Sequence, residues 1–193
     1  VEKVTKSYTE RKMLEEASFY LQEGEKVGVI GINGTGKSTL LKIMAGYEEP
    51  DGGTVVRANN LVIHYLPQDP EFDPEDDILT SVEKLAAHHG TSSEQMEAKA
   101  MMTRLGITDF TQKTGELSGG QRKRLALVSV LFCPCDILIL DEPTNHLDSE
   151  MAAWLEQELK RFRGALVMVT HDRYFLDSVT NRIIEIDKGK IYS

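Results

Sequence analysis

The chain has 193 residues, 40% hydrophobic and 27% charged, with 22 Lys+Arg against 31 Asp+Glu for a net charge of −9 and a pI near 5.1. That length suits one domain with room for an added lobe, burying roughly 70% of the unfolded surface. The acidity argues against general coating of nucleic acid. The longest nearly apolar run, 125–133, is broken by Ser129 and falls far short of the ~20 apolar residues of a membrane span. The first residues do not read as a secretory signal, and a start at Val1 without methionine reads as a piece of a longer protein. Cys133 and Cys135 flank Pro134 with no second pair to complete a metal site, so they read as reduced thiols in a cytosolic compartment.

Taken in chain order, residues 1–25 read as short strands and turns. Lys26–Ile30 is a compact apolar strand running into a glycine-rich loop. The helix that follows carries Leu40, Leu41, Ile43 and Met44 on a repeating apolar face, with Gly46 placed to stop it. Pro50-Asp51-Gly52-Gly53 is a turn, and 54–56 and 61–66 read as two further strands. Composition shifts at Pro67. Residues 69–77 are acidic and hold two prolines, which suits a surface connection, and 80–105 follow a helical pattern with Met96, Ala100 and Leu105 as a modest apolar face. This predicts a small helical subdomain over about 69–133, set into an α/β core made of 1–68 and 134–193. A long helix runs from Gly119 to about Phe132, and Pro134 closes it. Residues 137–140 form an unbroken apolar strand of the kind buried on both faces. A helix over 149–162 and a second buried strand, Ala165–Val169, complete an alternation that predicts a mostly parallel sheet flanked by helices.

Gly31-Ile32-Asn33-Gly34-Thr35-Gly36-Lys37-Ser38 matches the phosphate-binding P-loop pattern. Its glycines let the backbone wrap phosphates closely with successive N–H groups inward, and the next helix aims its positive end at the same anion. Lys37 reaches the β- and γ-phosphates in such a loop, and the Ser38 hydroxyl binds Mg²⁺. Asp141 and Glu142 stand at the tip of the 137–140 strand, where ligands bind in open α/β sheets. Adjacent acids there divide the work: Asp141 holds Mg²⁺, and Glu142 orients and deprotonates the attacking water. Gln68 and His171 follow two other strands, offering an amide oxygen and an imidazole to the same group. Leu117-Ser118-Gly119-Gly120-Gln121 opens the long helix and forms a second anion cradle. One nucleotide does not need two cradles in one domain, so the economical arrangement is a head-to-tail pair in which each ATP is taken from both sides.

Together these residues resemble the nucleotide-binding domain of ATP-binding cassette proteins over essentially the whole chain, 1–193 as a single cassette. The resemblance implies a P-loop ATPase fold with an N-terminal antiparallel β subdomain and an inserted helical subdomain that carries the signature motif. It makes Gly31 to Ser38 with Thr39 the Walker A segment, 137–142 the Walker B strand, and Gln68 the Q-loop. It makes Ser118, Gly119, Gly120 and Gln121 the signature, Leu147-Asp148 the D-loop, His171 the switch histidine, and Tyr8 the adenine-stacking aromatic. Metal contacts then fall to Ser38, Gln68 and Asp141, catalysis to Glu142 and His171, and the cofactors are ATP and Mg²⁺. Asp141-Glu142-Pro143-Thr144-Asn145-His146-Leu147-Asp148 and Thr170-His171-Asp172-Arg173-Tyr174-Phe175-Leu176-Asp177 are similar to the F subfamily, which carries two cassettes in one soluble chain. Ala153-Trp154-Leu155-Glu156 and Lys188-Gly189-Lys190-Ile191-Tyr192-Ser193 resemble the first of the two. Many members act on ribosomes, in translation or antibiotic resistance, so the implied partners are a second cassette, in the same parent chain or as a homodimer, and, through parts beyond this chain, ribosome and tRNA. The 48 residues between Gln68 and Leu117 hold no long arm insertion. The alternative reading is an ATPase subunit that drives a membrane transporter.

Other residues carry plainer expectations. His88-His89 lacks further metal ligands nearby, His146 orders a turn, and Trp154 anchors its helix by packing. Arg122-Lys123-Arg124 and Lys160-Arg161-Arg163 read as solvated faces, with contact to ribosomal RNA in the parent protein as the alternative.

Overall fold

In the computed structural model, which describes all 193 residues, the apolar strands of the sequence line up as one parallel sheet. The chain divides into two units, Val1–Pro67 with Cys135–Pro143 and Glu158–Ser193, and Gln68–Pro134 with Thr144–Gln157. Residues 144–157, expected with the core, thus fall in the helical unit.

In the first unit, β1 (Glu2–Tyr8), β2 (Arg11–Ala17) and β4 (Gly52–Thr54) form an antiparallel sheet in the order β2-β1-β4. The six-stranded sheet runs β5-β6-β7-β3-β8-β9, built from β3 (Lys26–Ile30), β5 (Ile63–Leu66), β6 (Ile137–Asp141), β7 (Ala165–Val169), β8 (Arg182–Asp187) and β9 (Lys190–Tyr192). All its pairings are parallel except β8 with β9. Side chains alternate across a strand, so Val27, Val29, Ile139, Val167 and Val169 share one face. That face packs with Leu40, Leu41 and Ile43 of helix α1 (Lys37–Ala45) in a single buried cluster. Gly28 leaves the opposite face open to Leu176 of α6 (Arg173–Val179), whose side chain occupies the space a Cβ would take. Gly46 ends α1 in the left-handed conformation, as expected. Two strands differ from the sequence expectation: 54–56 is displaced to β4, because the pairing with β1 runs through Glu2↔Thr54 and Thr5↔Gly52, and 61–66 is shortened to begin at Ile63.

The second unit is helical. The pattern over 80–105 resolves into α2 (Ile78–Ala86) and α3 (Ser92–Arg104), because Ala87 turns left-handed and Thr91 starts a new helix with a capping box to Glu94. α4 (Gly119–Leu131) packs on both, and residues 149–157 of α5 (Ser149–Arg161) belong here. Along α5, Leu155 and Leu159 are the fully buried anchors, while Trp154 is only half-buried.

Candidate functional site

β3 delivers the chain to residues 31–36, and α1 carries it away. Gly36 has φ +99, and a Cβ there would stand 2.6 Å from the Met13 carbonyl oxygen; at Gly31, φ +153, it would stand 2.6 Å from that of Ile186. As N-cap of α1, Gly36 offers no side-chain acceptor, so the first-turn N–H groups stay available to an external anion. Thr35 Oγ1 donates to the Ile32 carbonyl at 2.6 Å, and Arg11 Nη2 to the Gly34 carbonyl at 2.8 Å. Lys37 donates from Nζ to the Gly31 carbonyl. Burial draws the Lys37 pKa down, and the carboxylates of Glu142 and Asp141 push it back up.

β6 stands one strand removed from β3, across β7, but α1 packs over it, and the carboxylates at its tip act on Lys37. Asp141 is 2% exposed and Glu142 8%. Glu142 adopts φ +55 and donates its N–H to the Val169 carbonyl at 2.8 Å. A non-glycine residue in that conformation stores strain of the kind that gathers at functional sites. One carboxylate oxygen, Oε1, lies 3.0 Å from His171 Nε2, and the other accepts from the His171 backbone N–H at 3.3 Å. Burial raises the Glu142 pKa above the ordinary carboxylate range, with His171 and Lys37 opposing and Asp141 adding to the rise. A cleft of about 250 Å³ is lined by Gly31, Ile32, Lys37, Thr170, His171, Arg173 and Glu185, among others. Only Gly31, Ile32 and Lys37 of the loop and its helix start line that cleft; the loop and the β6 tip together carry groups that fit a triphosphate and a hard divalent cation, an open helix end with a lysine for the phosphates and the oxygens of Ser38 and Asp141 for Mg²⁺.

The first unit therefore brings together 31–39, Asp141, Glu142 and His171. Tyr8, at the end of β1, is 40% exposed with Lys6 Nζ 5.5 Å from its ring centroid. Gln68, Ser118 to Gln121 and Asp148 belong to the second unit. There Ser118 Oγ accepts from the Gln121 N–H at 3.2 Å, and Gln121 Oε1 accepts from the Ser118 N–H at 2.9 Å. Asp148 Oδ1 accepts from the Met151 N–H at 2.9 Å. The arginines expected on a solvated face instead tie loops down: Arg122 donates to the Leu117 carbonyl and Arg124 to that of His146, each at 3.1 Å. His146, at φ +65, shapes that turn. His88 and His89 each face one carboxylate, Glu94 and Glu83, and no cluster of metal-ligand type exists in the chain. Sequence reasoning missed Arg11; its only signal is that it follows the β1–β2 turn.

The family model described as ABC transporter matches residues 14–145. The chain belongs to the ABC transporter family. This ATP-binding cassette is 38% identical to YfmR of Bacillus subtilis (strain 168), an uncharacterized ABC transporter ATP-binding protein; the match covers 100% of the cassette and 36% of that protein. In keeping with the F-subfamily resemblance, it is 38% identical to the energy-dependent translational throttle protein EttA of Escherichia coli (strain K12), over 93% of the cassette and 39% of EttA. The cassette thus spans well under half the length of these relatives. The YfmR match extends over 230 positions, so at least 37 of them (230 − 193) have no counterpart here. Among solved structures, the dimeric post-hydrolysis state of the ATP-binding cassette MJ0796, bound to ADP and Pi, superposes with a TM-score of 0.82 at 26% identity, covering 100% of this cassette and 95% of that chain. No helix is long and apolar enough to cross a membrane.

Proposed function

We propose that this cassette binds ATP with Mg²⁺ and hydrolyses it as one half of a head-to-tail nucleotide sandwich, within a cytoplasmic protein that acts on the ribosome. The observation that carries the hydrolytic reading is the buried Glu142 carboxylate, raised in pKa and held by His171 beside the open N-terminus of α1. Residues 31–38 wrap the phosphates with backbone N–H groups, and Lys37 exchanges the Gly31 carbonyl for β- and γ-phosphate oxygens. Ser38 and Asp141 hold Mg²⁺, with Gln68 as a third oxygen by resemblance; the bound ion neutralises charge on the β- and γ-phosphates. Glu142 orients a water and takes its proton as the water oxygen bonds to the γ-phosphorus. The bond from that phosphorus to the β–γ bridging oxygen breaks, and its electron pair leaves with ADP. His171 positions Glu142 and hydrogen-bonds the γ-phosphate. Tyr8 stacks on adenine, while Ser118 to Gln121 and Asp148 serve the nucleotide of the opposing cassette.

Loss of the bridging γ-phosphate lets the two cassettes part, so hydrolysis times a conformational cycle. The likeness to a dimeric cassette supports the sandwich, and the name of EttA supports a role in translation. In the full-length protein, Glu142→Gln with the matching change in any second cassette retains ATP binding and slows hydrolysis by about 10²–10⁴-fold. That variant then sediments with ribosomes only when ATP is present. Unchanged turnover removes Glu142 from its role. Intact ATP binding without ribosome association favours the transporter subunit instead.

A further inference from the structure

Tyr65, in β5, is 7% exposed, yet its hydroxyl has no hydrogen-bond partner, a departure from the rule that buried polar groups are paired. The register places it opposite Ile139, two residues before Asp141 on β6. Side chains two apart on a strand share a face, so Tyr65, Ile139 and Asp141 all lie on the α1 side of the sheet, where Tyr65 and Ile139 pack with Leu40, Leu41 and Ile43. Tyr47, just past α1, holds the phenol ring from a centroid distance of 4.9 Å. Burial, with the Asp141 charge adding to it, keeps the phenol protonated well above its ordinary range, so it remains a donor. A phenylalanine would fill the same space; the one thing tyrosine adds is a proton to give near a carboxylate.

We propose that Tyr65 is a positioning residue for Asp141: with Mg²⁺ and nucleotide bound, its hydroxyl donates through a bridging water to the Asp141 carboxylate and fixes the orientation in which that carboxylate serves the metal. Buried waters take this bridging place where two polar groups face a common space. The inference rests on the proposed Mg²⁺–ATP site.

The test uses the full-length protein carrying Glu142→Gln, so that bound ATP persists, with Mn²⁺ as a probe titrated by electron paramagnetic resonance. Adding Tyr65→Phe weakens ATP-dependent Mn²⁺ binding by about 10-fold, as lost outer-shell partners do. It leaves metal-free ATP affinity unchanged and the thermal midpoint unchanged or higher, since an unpaired hydroxyl is removed. In an Asp141→Asn background the same substitution has no further effect on Mn²⁺. Equal Mn²⁺ affinity with and without Tyr65→Phe overturns the inference and leaves the metal–ATP site standing, as does a lower midpoint with Mn²⁺ affinity unmoved. Failure of the Glu142→Gln parent to bind Mn²⁺ in an ATP-dependent way overturns the site reading, and the inference with it.

Discussion

Two helices in this chain follow glycine-bearing segments, and their first turns are built in opposite ways. At α1 the N-cap is Gly36, which has no side chain, and the amides of the first turn have no side-chain acceptor. At α4 the N-cap is Ser118, and a reciprocal capping box with Gln121 satisfies both backbone amides from within. The same textual signal, glycine at a helix start, thus accompanies an end left open for an anion and an end partly closed by its own side chains. The charges differ too. The α1 end sits among Lys37, Asp141 and Glu142, whereas the capping side chains of α4 are neutral. For the α4 end to take a phosphate from an opposing cassette, the amides that the box leaves available are those of Gly119 and Gly120.

Four substitutions break or sharpen that contrast. The largest effect is expected at Gly36→Ala, where φ +99 and a carbonyl at 2.6 Å predict a loss of about 2 kcal/mol in urea unfolding together with loss of ATP binding by calorimetry. The same change at Gly119 meets nothing within 4 Å and leaves the unfolding midpoint in place. Ser118→Ala removes one capping acceptor and costs about 1 kcal/mol, with ATP affinity at the P-loop unchanged; a stability equal to that of the parent would show that the box contributes nothing. The smallest effect is a shift in pH dependence. In its proposed role as base Glu142 must be ionised, so the acid limb of hydrolysis is expected above the ordinary carboxylate range, in line with its raised pKa. His171 lowers that pKa, so His171→Ala moves the limb to higher pH in a rate–pH profile. An unmoved limb disconnects the pair.

Much of this arrangement was legible in the sequence, for identifiable reasons. β3, β6 and β7 are apolar runs buried on both faces, and such runs announce themselves without tertiary information. Gly31 to Ser38 is dense enough in constraint to be read locally. What stayed hidden depends on register or on tertiary contacts. Glu142 and His171 are legible as strand-tip groups of one site, but their direct contact across 29 residues comes only from the β6–β7 alignment, with Asp141 opposite Val169. Tyr65 reads as one more strand aromatic until its partner across β6 is known. β8 alternates half-heartedly and β9 has three residues, too little pattern to stand out. Arg122 and Arg124 look like surface charge because nothing in their spacing reveals that loop carbonyls lie within reach.

The position of β3 in the sheet has a consequence for the order of events during synthesis. Its neighbours are β7 and β8, so Val27 pairs with Val167 and Arg182, some 140 and 155 residues further along. At about 5–20 residues per second, roughly 7 to 30 seconds separate the emergence of the P-loop strand from that of its partners. Until then Lys26–Ile30 is an apolar segment without a sheet, and the phosphate cradle has no floor. Contacts of such sequence separation fold late and slowly. A nascent chain that has already exposed its whole P-loop motif therefore cannot yet grip a nucleotide, and the ability to bind arrives abruptly, near the end of translation of this domain.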